Sequence, residues 1–325
     1  MKYFDLVTFG SALKDISFYS DEVFVVKNKK SVKMPKLLAM EYGAKVAIED
    51  LFVTYGGGAM NVAVGTKNFG VKVSPMIRIG KDNVGMELFN YLKKQKISTD
   101  LVEVRKEDKT GFSIVISSAK DKEHTIFTFK GASNHLQVHS LRNFTTKWFY
   151  VASLTSKDWK SEFEKITRQT KKDVKIAWNP GELQLRNQKT LINFLSYVEV
   201  LILNKSEAIE LLSGIKKRIN KTKLQDKKYL LKELLNLGPQ KVVITLGEKG
   251  VCAIDENEQF YYYPSQSNQK RIVDTVGAGD AFSSGLMSGL IKFKDFDKAL
   301  QLGIRNSSNV LYRVGAQNGL LKIKL

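Results

Sequence analysis

Across residues 148–246 one pattern recurs: a short apolar run, then a longer stretch whose apolar residues return at helical spacing. Strand-like runs occupy 148–152, 174–178, 200–203 and 242–246, and helical patterns fill 157–170, 183–196, 205–213 and 223–237. Strands separated by helices pair in parallel, and a parallel sheet needs cover on both faces. The order predicts an α/β fold of three layers, with a mostly parallel central sheet flanked by helices. Ligands on such a sheet collect at the carboxyl ends of its strands. The polar residues there are Asn179-Pro180-Gly181, then Asn204 and Glu207, then the turn from Gly247 to Gly250.

The rest of the chain adds to this frame. Residues 6–10 read as a buried strand ending at Gly10, with Asp15 just beyond, and 18–52 as small antiparallel strands with low regularity. Three glycines, Gly56 to Gly58, precede a helical run through Val64 and Phe69 that Gly70 stops. A strand at 73–79 and a helix at 83–96 follow. Residues 110–116 and 124–129 form a predicted hairpin around the charged turn Lys120-Asp121-Lys122, and 251–254 with 260–263 form another. Two helices, 278–292 and 295–312, end the pattern. With no fixed repeat and no low-complexity linker, one domain over 1–325 with a small accessory sheet is expected.

Composition bounds the function. At 43% hydrophobic and 26% charged, the 325 residues match a globular protein with a sizeable core. The 52 basic and 33 acidic residues leave a net charge of +19, which brings nucleic acid, membrane surfaces and anionic substrates into consideration. The densest basic run, Lys216-Lys217-Arg218 through Lys221, Lys223, Lys227, Lys228 and Lys232, overlies Leu224, Leu231 and Leu235. It therefore reads as the solvated face of a helix, and nucleic acid is not the expected partner. The single cysteine, Cys252, lies in an apolar run, which excludes an intrachain disulfide and a cysteine cage and points to a core residue. No signal peptide or membrane-length apolar run is present, and a cytoplasmic location is expected. His135 and His139 stand four apart and could share a helix face, but they lack a third metal ligand nearby in sequence. The spacing of a P-loop is absent, and neither glycine stretch completes a dinucleotide fingerprint.

The chemistry concentrates in Asp274-Thr275-Val276-Gly277-Ala278-Gly279-Asp280. Small residues let a backbone approach a ligand, and a helix opening there aims its free N–H groups and dipole at an anion. Asp280, in the first turn, could take a hydroxyl proton beside that site, the pairing that phosphoryl transfer to an alcohol requires. On spacing alone, a glycine-bearing helix start with an aspartate at its positive end is an equal reading. Gly57, Gly58 and Asn61 make a second such start.

These two stretches, in this order, resemble the two signatures of the ribokinase-like (PfkB) carbohydrate kinase family: Gly56-Gly57-Gly58-Ala59-Met60-Asn61-Val62-Ala63 with Gly70 and Gly80, then 274–280. The similarity in element order runs from about Leu6 to Ala316. The resemblance implies an ATP-dependent, magnesium-requiring kinase that phosphorylates a primary hydroxyl of a small sugar. Asp280 would be the base, and Gly277, Ala278 and Gly279 the anion hole. Asp15, Gly57, Gly58 and Asn61 would hold sugar hydroxyls. Asn204 and Glu207 match a pair that positions magnesium through water, although an Asn-x-x-Glu sequence at a helix start is also a capping pattern. Thr245, Gly247, Gly250 and Asn309 would border the nucleotide. Strands within 12–55 and 110–130 resemble a β-sheet lid, through which a homodimer could also form.

Three departures shape the expectation. The run Val151-Ala152-Ser153-Leu154 has no acid where some sugar kinases of this family carry a substrate-binding glutamate, which bears on ribose as the acceptor. The insertion from Lys27 to Asp50 is long. Val276 replaces a more often polar residue, which bears on a monovalent cation site. Two other functions remain open: a nucleoside kinase, with Phe18, Phe112 and Phe127 as stacking candidates, and a non-catalytic sugar- or nucleotide-binding protein.

Overall fold

The structure, a computed structural model, describes residues 1–28, 36–48, 50–118, 124–139, 141, 143–169, 173–215, 223–268 and 272–325. The turn Lys120-Asp121-Lys122 and the basic residues from Lys216 to Lys221 lie outside these. In chain order the strands are β1 (Lys2–Phe9), β2 (Leu13–Ser20), β3 (Phe24–Lys27), β4 (Lys36–Ala39), β5 (Asp50–Gly56), β6 (Val73–Gly80), β7 (Val102–Arg105), β8 (Gly111–Ser118), β9 (His124–Phe129), β10 (Phe144–Val151), β11 (Lys175–Trp178), β12 (Val200–Asn204), β13 (Lys241–Thr245), β14 (Val251–Ile254) and β15 (Phe260–Tyr263). The helices are α1 (Gly58–Asn68), α2 (Asn83–Lys94), α3 (Trp159–Thr167), α4 (Glu182–Arg186), α5 (Gln188–Ile192), α6 (Lys205–Ile215), α7 (Lys227–Leu235), α8 (Ala278–Lys292) and α9 (Phe296–Val310).

The central sheet runs β15-β14-β13-β12-β11-β10-β1-β6-β7, parallel from β13 to β7 and antiparallel at β14 and β15. Side chains alternate between its faces. Leu201, Leu203, Val242 and Ile244 enter one core with α3 to α7, whereas Val200, Ile202 and Val243 enter a second with α1, α2, α8 and α9. A sheet buried on both faces needs apolar residues at consecutive positions, which explains the unbroken apolar runs. Among the described residues no helix is long and apolar enough to cross a membrane.

Two elements depart from expectation. β7 alternates Val102 and Val104 with Glu103 and Arg105 at the sheet edge, too short and too charged to stand out as a strand. The helix expected over 183–196 is broken at Asn187, whose side-chain amide donates to the Leu183 carbonyl at 2.7 Å and ends α4. Gly70 does stop α1: its N–H reaches the Lys67 carbonyl at 2.9 Å with φ 76°.

β3, just before the long insertion, pairs antiparallel with β4 inside it, and a further sheet, β5-β2-β8-β9, is separate from the central one. Its central pair, β2 with β8, is parallel, whereas the other pairs are antiparallel. Asp15 pairs with Thr54 and Ser113, so these share one face. Phe18, paired with Leu51, and Phe112, paired with Phe129, fall on the opposite face, as does Phe127 opposite Ile114. The three expected stacking candidates therefore face away from Asp15. Period-two alternation instead puts Tyr19 and Phe52 on the Asp15 face, their rings 6.1 Å apart.

Candidate active site

Helix α8 begins where Gly277 adopts a left-handed conformation (φ 79°, ψ 2°) as its N-cap. A side chain at 277 would strike Ala316, so the chain closes tightly there. Asp274 holds the approach: its Oδ1 accepts from the Val276 N–H and its Oδ2 from the Gly315 N–H, both at 2.9 Å. The first-turn amides of α8 have no acceptor within their helix; the Ala278 N–H turns back to the Thr275 carbonyl at 3.3 Å, and Gly279 and Asp280 offer their N–H groups at the positive dipole end. Burial pushes the Asp280 carboxyl up, and a hydrogen bond from Asn61 pulls it partly back.

Asn61 comes from the first turn of α1, the other glycine-led helix. Gly57 sits at φ 99° against the Ser11 carbonyl, with no room for a Cβ. That turn aims the Asn61 Nδ2 at Asp280 Oδ2, 2.7 Å away. A side chain at Gly58 would reach within 3.7 Å of Asp280, so Gly58 lies beside that carboxylate. Asp15 approaches from β2, 7% exposed, with the Ser113 hydroxyl donating to its Oδ1. Burial pushes its carboxyl up to about 6, the Ser113 bond lowers it, and the Asp280 charge raises it further. Lys130 also faces Asp15; burial pushes its ammonium down, and the charges of Asp15 and Glu182 oppose that. Tyr150 on β10 is fully buried, its phenol pushed up by burial first and by the Asp280 charge second.

On the other side of the α8 start lies a cavity of about 480 Å³, bordered by Thr245, Gly247, Gly250, Ala278, Gly279 and Phe282. Nothing stands within 4 Å of the side-chain position of Gly279, which opens toward this space. Asn309 does not border it. Its amide donates to the Gly319 carbonyl at 2.5 Å, while its neighbours Ser307, Ser308 and Leu311 line the cavity. Asn204 and Glu207 form a reciprocal capping box: the Glu207 N–H donates to Asn204 Oδ1 at 2.9 Å, and the Asn204 N–H to Glu207 Oε2 at 2.8 Å. Burial raises the Glu207 carboxyl, and the Asn204 amide opposes this.

Sequence reasoning missed Ser113, Lys130 and Gln317. Gln317 follows Gly315-Ala316, a short small-residue run whose contact with Gly277 appears only in three dimensions. His135 and His139 do not share a helix face, because the 3₁₀ turn Gly131–His135 ends between them. His135 Nδ1 lies 2.6 Å from Asp108, and His139 Nε2 lies 3.3 Å from Glu103.

A sequence model of the pfkB family of carbohydrate kinases matches residues 6–323. The chain is 27% identical over 282 residues to a ribokinase of Haemophilus influenzae, covering 82% of this chain and 84% of that protein. It is 26% identical over 292 residues to an ATP-dependent 6-phosphofructokinase of Thermoanaerobacterium thermosaccharolyticum, covering 86% of each. In fold it is similar to the crystal structure of the Methanocaldococcus jannaschii nucleoside kinase, with a TM-score of 0.75, 23% identity, and coverage of 98% of this chain and 96% of that one.

Proposed function

We propose, on the premise that this chain belongs to the pfkB family of carbohydrate kinases, that it transfers a phosphoryl group from ATP to a primary hydroxyl of a small sugar, with Asp280 as general base. The observation that carries this reading is the 2.7 Å bond between Asn61 and Asp280. It joins the two glycine-led helix starts, so one carboxylate sits at a helix N-terminus and beside a polar pocket.

Each residue then has a task. Asp15, Gly57 and Gly58 hold acceptor hydroxyls, and Asp280 takes the proton of the one being phosphorylated. Desolvation makes Asp280 a stronger base than a surface aspartate, while Asn61 keeps it ionised. The amides of Gly277, Ala278 and Gly279 stabilise charge on the transferred group. The cavity beside Gly279 suits a nucleotide, with Thr245, Gly247 and Gly250 at its wall. ATP with magnesium supplies the phosphoryl group and neutralises its charge. Glu207 Oε2 is occupied by the Asn204 amide, and Oε1 is the oxygen left for metal-bound water. The small sheet acts as a lid that excludes water, so that phosphate passes to sugar. A monovalent cation requirement is a further proposal, one that Val276, standing where a polar residue is more usual, counts against; activity in potassium against tetramethylammonium tests it. The exposed outer face of the lid, with Leu51, Val53 and Phe127, is proposed to seat a second copy, tested by sedimentation. The cytoplasm is the proposed location.

A second reading, a nucleoside acceptor, draws support from Tyr19 and Phe52, which lie on the Asp15 face where a base could stack. A panel of sugars and nucleosides, scored by ADP release with ATP and magnesium, separates the two. Binding without ADP release across the whole panel, together with Asp280→Asn changing nothing, would sink the kinase reading in favour of a binding protein.

A further inference from the structure

The Asn61 side chain could meet Asp280 in either of two orientations, since turning the amide over exchanges its N–H₂ and C=O groups. The ionised carboxylate favours the N–H₂ end, but a protonated carboxyl could donate its O–H to the C=O end equally well. A second contact breaks that tie. Gln317 Nε2 donates to Asn61 Oδ1 at 2.7 Å, and Gln317 Oε1 in turn accepts from the Tyr91 hydroxyl at 2.8 Å. With its oxygen accepting from the Tyr91 hydroxyl, Gln317 presents N–H₂ to Asn61. A turned Asn61 would then set two donor groups face to face.

The chain of bonds is built on anchored parts. The Tyr91 ring lies 4.6 Å from that of Tyr55, and burial raises its phenol, so the hydroxyl remains a donor at neutral pH. The backbone around Gln317 is tied down on both sides: the Gly315 N–H binds Asp274, Ala316 packs under Gly277, and the Leu321 N–H binds Asn306 Oδ1 at 2.9 Å. The titratable groups facing Asp280 from other elements are Asp15 on β2 and Tyr150 on β10. An ionised Asp15 opposes ionisation of Asp280, which leaves the Asn61 amide as the group that favours it.

We propose that Gln317 and Tyr91 are positioning residues that lock Asn61 with its N–H₂ on Asp280 and so hold the base in its proton-accepting form. The proposal rests on Asp280 being the base. Its effect centres on protonation: without Gln317, Asn61 can turn and stabilise protonated Asp280, whereas the contacts proposed for Asp15, Gly57, Gly58 and the nucleotide cavity are untouched.

The test is the pH profile of kcat for an accepted substrate in the wild type, Gln317→Leu, Tyr91→Phe and Asp280→Asn, each first shown to melt cooperatively. Gln317→Leu should move the acid limb up by about one pH unit, hence about a tenfold loss of kcat below the limb, with near wild-type kcat above it and unchanged KM for ATP. Tyr91→Phe, which removes one hydroxyl, should move the limb the same way by less. A loss of kcat by one factor at every pH, or a rise in KM alone, would overturn the positioning role. Turnover retained by Asp280→Asn would instead remove the base assignment itself, a failure visible without either positioning variant.

Discussion

The Ser113 hydroxyl donates to Asp15 across the parallel pairing of β2 and β8, so a neighbouring strand of the small sheet tunes the charge state of a carboxylate in the proposed acceptor pocket. Burial raises Asp15 to about 6 from the ordinary 3.8, and Ser113 is the main influence holding it down. An acid whose folded pKa is raised loses stability on ionising, so this contribution is present below about pH 4 and is lost as the pH rises through about 6. If ionised Asp15 accepts the sugar hydroxyls, kcat/KM should fall below about pH 6. Ser113→Ala removes a charge-assisted bond and should move that limb up by about one unit. A limb that stays in place in Ser113→Ala would detach Asp15 from acceptor binding. Because kcat/KM reports the free enzyme and kcat the bound complex, this limb is separable from that of Asp280.

Asp82 ties the start of α2 to the residue that precedes β8 of the small sheet. Its Oδ1 caps α2 by accepting from the Gly85 N–H and also takes the Thr110 hydroxyl, while its Oδ2 takes the Thr110 N–H, all at 2.7 Å. Burial acts to raise this carboxyl, but the Thr110 and Gly85 bonds together pull it below 3.8. Asp82→Ala loses a helix cap and leaves the Thr110 amide unpaired, a cost of about 2–4 kcal/mol by denaturant titration. The depressed pKa means that the contribution is present above about pH 4 and disappears as the pH falls through the folded value. Asp82→Asn, which keeps an acceptor but cannot titrate, should recover part of the stability and flatten its acid dependence.

Gly277 is the position where conformation and contact coincide. Alanine there would cost about 1–2 kcal/mol in the left-handed region before any clash is counted. Its Cβ would also press on Ala316, next to Gln317. Gly277→Ala should therefore lower kcat much more than the shift in Tm suggests, because it moves the proposed anion hole and the Asn61 support together. A variant that is destabilised yet keeps wild-type kcat would show that the turn is merely structural.

The central sheet could be read from the sequence because burial on both faces leaves unbroken apolar runs, such as Val200 to Leu203, with a polar residue directly behind each. β7 escaped because an edge strand can carry Glu103 and Arg105. The orientation of the lid aromatics escaped for another reason. Which face Phe18 or Phe112 occupies depends on their pairing with Leu51 and Phe129, a register that no local spacing contains. At the site, Asp280 and Asn61 could be read from their glycine-led helix starts. Gln317 could not, since it reaches Asn61 across 256 positions and belongs to no helix start.

Glu207 and Asn204 were open to two readings, a helix cap and a magnesium-positioning pair, and the geometry shows the first while leaving an oxygen for the second. The two roles make opposite demands on a substitution. Glutamine at 207 still offers a side-chain oxygen to the Asn204 N–H, so the capping box survives, but the negative charge is lost. Glu207→Gln should therefore unfold at the wild-type denaturant concentration while requiring about tenfold more magnesium for half-maximal activity. Asn204→Ala removes the acceptor for the Glu207 N–H and should cost about 1 kcal/mol of stability. If Glu207→Gln instead loses stability and keeps its magnesium requirement, the residue serves α6 alone, and the metal is held from elsewhere around the cavity.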